Sequence, residues 1–219
     1  MGAVGLMAER LHSDFPILFS FQDQSVLARE ALPDIYRKWC EIDLILANLR
    51  NDPKQHSNFH LDANVDLVLR LAEQEQFQIF EKHDEFLMGG AGFMQIAMSK
   101  FWLFSAYELL RATCDHSRCR SPKDGYCHEQ DCLRCSILRL KQELNGYRVH
   151  LGKLETESRP HTGVMAEKSH ASLVFGIKNG SVGWTTRDLK SGSIKTTTRL
   201  DLSNLIIDSL ASTFGNTPT

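Results

Sequence analysis

Four cysteines, Cys119, Cys127, Cys132 and Cys135, stand within seventeen residues of a chain that carries only two others, Cys40 and Cys114. They read C-x7-C-x4-C-x2-C. The closing pair has the spacing at which two thiolates of one turn reach a single ion at about 2.3 Å, the geometry of structural zinc. The intervening RSPKDGY is polar and turn-rich, so burial cannot order it and a metal could. Cys114 permits a second set, C-x4-C-x12-C-x2-C, and His116 and His128 are further possible ligands. The competing readings are thiols in a surface loop or at helix ends, and a disulfide, which a reducing compartment disfavours. Four protein ligands leave no position open to water, so the ion expected is structural rather than catalytic zinc.

A second group with chemical potential follows the most apolar stretch of the chain. In RATCDH, four residues separate Arg111 from His116. Near a helix end, an arginine can hold a phosphate while a histidine exchanges protons with a ribose hydroxyl or the leaving oxygen. The spacing resembles the R-x4-6-H motif of HEPN (higher eukaryotes and prokaryotes nucleotide-binding) domains, small helical bundles, often dimeric, many of them ribonucleases of toxin and defence systems. The resemblance covers roughly residues 34–155. A second place, YRVHLGKLE at 147–155, resembles the motif too, with Arg148 followed by Lys153 where the family has histidine, and with His150 earlier.

The catalytic residues that the resemblance implies are thus Arg111 with His116 and Arg148 with His150. Ala112 stands where the family has a polar residue, and a lysine that stays protonated near neutrality is a poor general base. The function expected is therefore a non-enzymatic HEPN-like binding module with a structural zinc, acting as a homodimer or on a partner protein. The alternative is an RNA-cleaving HEPN-type nuclease. The same charges also permit a plain ion-pair network, with Glu108 buried and paired to Arg111, Arg148 or Lys153.

Helical periodicity supplies the scaffold for these residues. The first thirty are mixed in character. Pro33 and Asp34 open DIYRKWCEIDLILANLR, which NDP then ends. A second helix is expected from about Leu61 to Phe86, with Val65, Leu69, Ala72, Phe77 and Phe80 inward. MGGAGF at 88–93 stops it; without a preceding strand or GxGxxG spacing, this run reads as a turn. FMQIAMSKFWLFSAYELLRAT is apolar nearly all round, which predicts a central helix buried on most faces. Leu133, Ile137, Leu140, Leu144, Tyr147, Leu151 and Leu154 recur at steps of four and three, predicting a long helix packed nearly antiparallel to it.

From about Ser158 the pattern changes to ASLVFGI, SVGWTTRDL and SIKTTTRL, joined by KNG and KSG, which predicts a three-stranded meander. DLSNLIIDSLAST closes as a short helix capped by Asp201 or Ser203. Lys178, Arg187, Lys190, Lys195 and Arg199 alternate with threonines and Trp184. Such residues can hold a phosphate backbone and stack a base on an exposed aromatic, or can simply solvate a sheet edge; the edge is the expectation. The fold class is thus mainly α, a four-helix-type bundle with a cysteine-rich hairpin tip and a small C-terminal antiparallel β meander. Residues 1–157 form the bundle, including loop 114–135, and 158–219 the meander and short helix packed on it.

Composition bounds the rest. The 219 residues carry a net charge of −2, with no overall attraction to nucleic acid or anionic membrane, though RNA remains a possible partner of the basic segment. Residues 51–87 hold eight acidic and three basic side chains, whereas 178–199 hold one and five. No apolar run approaches the roughly 18 residues of a membrane span, and MGAVGLMAERLHSDFPILF lacks a secretory signal's basic start, so a cytoplasmic protein without membrane contact is expected.

Overall fold

The computed structural model describes residues 16–50, 56–116, 132–152, 172–176, 179–187 and 194–211. Five helices come first: α1 (Pro16–Ala31), α2 (Pro33–Arg50), α3 (His56–His83), α4 (Gly90–His116) and α5 (Leu133–Gly152). Strands β1 (Ser172–Phe175), β2 (Val182–Arg187) and β3 (Ile194–Thr198) follow, then α6 (Arg199–Ala211). The chain is mainly helical with a small antiparallel sheet of order β1-β2-β3 towards its C-terminal end, as its periodicity predicts. Among the described residues no helix is long and apolar enough to cross a membrane.

Local chemistry accounts for most boundaries. Pro33 occupies the first turn of α2, where its missing N–H costs no hydrogen bond. Helix α3 begins at His56 and stops at His83, short of the expected Phe86, because Asp84 takes a left-handed φ of 55° while its N–H still reaches the Phe80 carbonyl at 2.7 Å. Helix α1 has no counterpart among the expected elements. It is tied to α3 by Arg29, whose Nε donates to Asn64 Oδ1 at 2.9 Å.

The core lies between α2, α4, α5 and α6. Trp39, Ile42 and Leu46 of α2 meet Trp102, Leu103, Ala106 and Leu110 of α4 and Leu202, Ile206, Ile207 and Leu210 of α6. The stripe read on α5 packs as expected through Ile137, Leu140, Leu144 and Tyr147, with Leu133 at its margin. Helix α4 departs from its expectation. Its inner side is buried, but Phe93, Met94 and Phe101 face solvent, because α3, α5 and β2 all approach from the core side.

Helix α3 departs further. Of the five positions expected to face inward, only Leu69 is fully buried; the buried side also carries Asp62, Asp66, Arg70, Glu73 and Gln76. Gln76 clamps the turn into α4, accepting from Leu87 N at 2.9 Å and donating to its carbonyl at 2.8 Å.

The Asn-Gly turn forms between β1 and β2, and Gly180 there has φ +63°. Gly180 lies flat against α3: a methyl group on it would strike the Glu73 carbonyl and approach Phe77 N to 2.7 Å. Trp184 is fully buried beside the Tyr147 ring, so the expected exposed aromatic of the meander is a core residue. Lys195 does lie at the solvated edge, donating to Glu143 of α5 at 3.0 Å. The side chain of Arg187, and Lys178 and Lys190 altogether, lie outside the described residues. Thr198, rather than Asp201 or Ser203, caps α6. Its Oγ1 accepts from Asp201 N at 3.1 Å while Asp201 Oδ2 accepts from Thr198 N at 2.8 Å, a reciprocal capping box.

Gly180→Ala should therefore destabilise by about 1–3 kcal/mol or more, through both the left-handed backbone and the collision with α3. A denaturant midpoint equal to the parent's would contradict this packing of the turn.

Candidate functional site: a sealed charged core

Asp66, Arg70 and Glu73 follow one another at steps of four and three on α3, which places them along one side of the helix. Opposite them stands Arg199, the first residue of α6, held there by the capping box at Thr198. Asp66, Glu73 and Arg199 are at most 1 % exposed and Arg70 only 8 %. The two carboxylates and two guanidiniums balance in charge, without which burial this deep would be prohibitive.

The hydrogen bonding is nearly complete. Glu73 receives Arg199 as a fork, Nε to Oε1 at 2.6 Å and Nη2 to Oε2 at 2.5 Å, and Arg199 Nη1 also donates to Asp66 Oδ1. Asp66 Oδ2 accepts from Trp39 Nε1 at 2.7 Å and from Arg70 Nε at 2.8 Å. Arg70 Nη2 donates onward to Ser203 Oγ at 2.7 Å and Asn204 Oδ1 at 2.8 Å. Ser181 Oγ donates to Glu73 at 2.6 Å and accepts from Leu200 N at 3.2 Å, which ties the β1–β2 loop into the same centre. The Arg199 guanidinium lies 5.2 Å from the centre of the Trp102 ring, a cation–π contact from α4.

These contacts set the ionisation. Burial alone would lower the Arg199 pKa, yet Glu73 and then Asp66 raise it above the ordinary arginine range. Burial alone would raise that of Asp66, but Arg199 and Arg70, with hydrogen bonds from Ser203 and Arg70, hold it below the carboxylate value. Asp66 thus contributes stability above its unfolded pKa near 3.8, lost as the pH falls through its lower folded value.

Asp62, one turn earlier, is different. It lines an apolar recess with Trp39, Leu46, Trp102, Leu110 and Ile206, and burial raises its pKa to about 6 against a hydrogen bond from Ser105.

No family model, curated protein or solved structure matches the chain. What the site can do must be read from its own chemistry. All four charges of the network are spent on one another, and the neighbouring recess is lined by apolar side chains beside Asp62, so the arrangement ties α2, α3, α4, α6 and the β1–β2 loop together.

The residues singled out from the sequence lie elsewhere. Arg111 donates to Glu108 at 2.7 Å on the surface of α4; both are nearly half exposed, which corrects the expectation that Glu108 is buried. Their spacing of three, and not burial, pairs them, so this pair adds only a few tenths of a kcal/mol. His116 is the last residue of α4, and Arg148 and His150 fall in the last turns of α5; their side chains lie outside the described residues. Cys132 immediately precedes α5, and Cys135 is buried in its first turn. Cys119 and Cys127 lie outside the described residues, and among those described no group of three metal-ligating side chains comes together.

The network itself was missed because charged residues at helical spacing read as a solvated face. The available signal was the polar stripe Asp62, Asp66, Arg70, Glu73, Gln76, at steps of four and three on a helix that also carries apolar residues. Nothing in the sequence marks Arg199, rather than another basic residue of the meander, as its complement.

Glu73→Ala, which leaves Arg199 buried beside a single carboxylate, should cost about 3–5 kcal/mol in chemical denaturation. A loss under about 1 kcal/mol would mean that the pair is solvated. Asp62→Asn should act in the opposite sense. Ionising a carboxyl whose folded pKa is raised costs stability as the pH rises from about 4 to 6, so the variant should gain up to about 3 kcal/mol at pH 7.5 and nothing near pH 4. An equal effect at both pH values would contradict the burial of an ionisable Asp62.

Proposed function

We propose that the protein is a non-enzymatic, HEPN-like helical binding module, with a structural zinc held at the hairpin tip by Cys119, Cys127, Cys132 and Cys135. One observation carries the first part. The deepest charged groups neutralise each other inside the fold, while α4 leaves Phe93 and Phe101 65 % and 74 % exposed. Catalysis needs polar groups convergent on open space. A binding module needs an apolar face.

The zinc reading rests on the cysteine spacing. Cys132 and Cys135 bracket the start of α5, where the positive end of the helix favours thiolates, and a cytoplasmic, reducing compartment would keep them available to metal. The nuclease alternative keeps one specific support, the half-exposed Arg111 five positions before His116 at the C-terminal end of α4.

Reduced protein purified without chelator should carry about one zinc per chain by elemental analysis. Cys132→Ser should lose it and leave the bundle folded, because the α5 stripe packs without the tip. Absence of metal would remove the zinc from this reading. Incubated with RNA, the protein should leave it intact; cleavage abolished by His116→Ala or His150→Ala in a folded variant would replace the module with the nuclease.

A further inference from the structure

Of the carboxyls buried on α3, Asp66 and Glu73 face arginines, whereas Asp62 has no cationic side chain paired with it among the described residues. Its hydrogen bond is with Ser105 of α4. Asp62 borders a partly open recess where α2, α3, α4 and α6 meet, with room for about one water molecule. The walls from α2, α4 and α6 carry no titratable side chain: they are Trp39 and Leu46, Trp102 and Leu110, and Ile206 and Leu210. The charges of these elements are engaged elsewhere. Asp43 of α2 faces His60 of α3 at 3.5 Å, Glu108 and Arg111 of α4 pair on the surface, and Asp201 and Asp208 of α6 are exposed. On α3 itself, Asp66 is held by Arg70 and Arg199.

Successive turns of α6 meet α3 ever nearer its N-terminal end. Arg199 binds Glu73 and Asp66, Ser203 and Asn204 accept from Arg70, and Ile206 and Leu210 wall the recess beside Asp62. The helix is therefore held unequally. Its first turn is clamped by two carboxylates, whereas its last turn lies with aliphatic side chains against an acid that no cation neutralises. A neutral carboxyl with one hydrogen bond is tolerated in such a place; a carboxylate there calls for water.

We infer that Asp62 is a proton-operated latch for the last turn of α6. With the acid uncharged, Leu210 closes the recess. With the acid ionised, one proton passes to solvent, water enters beside Asp62 and residues 208–211 loosen. Arg199 keeps the first turn in place, and Arg70 holds the turn of Ser203 and Asn204, so the movement stops short of the rest of the helix. Burial raises the Asp62 pKa to about 6, so the latch is closed in mild acid and releases as the pH rises through that value. The device is separate from the binding reading and stands or falls without it.

Native-state hydrogen exchange of residues 208–211, corrected for intrinsic rates, tests the latch. A carboxyl that titrates near 6 when closed and near 3.8 when open raises the opening ratio about tenfold between pH 5 and 7.5. That rise should appear in exchange that is insensitive to low denaturant, the mark of a local opening. The emission of Trp39 and Trp102 on the recess walls should shift to longer wavelength over the same range. Asp62→Asn, folded by circular dichroism, should show neither change, and His60→Gln should keep both. Exchange of 208–211 that follows global unfolding at both pH values would overturn the latch. So would changes that survive Asp62→Asn or vanish in His60→Gln.

Discussion

A guanidinium taken out of water must be matched in charge and in hydrogen-bond direction, and Arg199 is matched by carboxylates of a single helix. Asp66 and Glu73 lie 133 and 126 residues away in sequence, so this contact fixes where β3 and α6 dock on α3. Misplacing Arg199 by one helical turn would strand two carboxylates in the core, at a cost comparable to the whole stability of a domain. Such a network adds little net stability over an apolar core of the same shape. Its effect is to make every competing arrangement of the sheet and α6 unfavourable.

The rest of the architecture follows from that constraint. The capping box at Thr198 and Asp201 sets the angle at which α6 leaves β3, and so aims Arg199. Ser181 requires the β1–β2 loop against Glu73, and Gly180 allows it to lie there. Trp39 and Trp102 close the network from α2 and α4, one donating to Asp66 and the other covering the Arg199 cation with its ring. Outside this network, α4 leaves Phe93, Met94 and Phe101 exposed.

Much of this was legible in the sequence, for identifiable reasons. The α5 stripe, the Pro33 start of α2 and the Asn-Gly turn are local signals, each fixed by a few neighbouring residues; the turn and the helix start hold, and the stripe holds from Leu133 to Tyr147, the Leu151 side chain and Leu154 lying outside the described residues. Helix α4 was legible in extent but not in orientation: a sequence apolar all round does not say that its neighbours gather on one side. Helix α3 was read inside out in part, since periodicity assigns apolar residues inward and its partner across the core is another charge. Trp184 and Arg199 were placed on a solvated sheet because alternation cannot tell which face of a three-stranded sheet is covered. The proposed metal and catalytic residues depend on Cys119, Cys127, His116, Arg148 and His150, whose side chains the described structure does not include.

Native-state hydrogen exchange of the backbone amides measures most directly whether the buried network makes one cooperative unit of the bundle, sheet and terminal helix. Amides of α3 around Asp66 and Glu73, of β2 around Trp184 and of α6 around Ile206 should share an opening free energy to within about 1 kcal/mol, because α6 cannot leave without exposing Arg199 and both carboxylates. Exchange of the α6 and β2 amides through a separate opening several kcal/mol below that of α3 would show that the network does not hold these elements together.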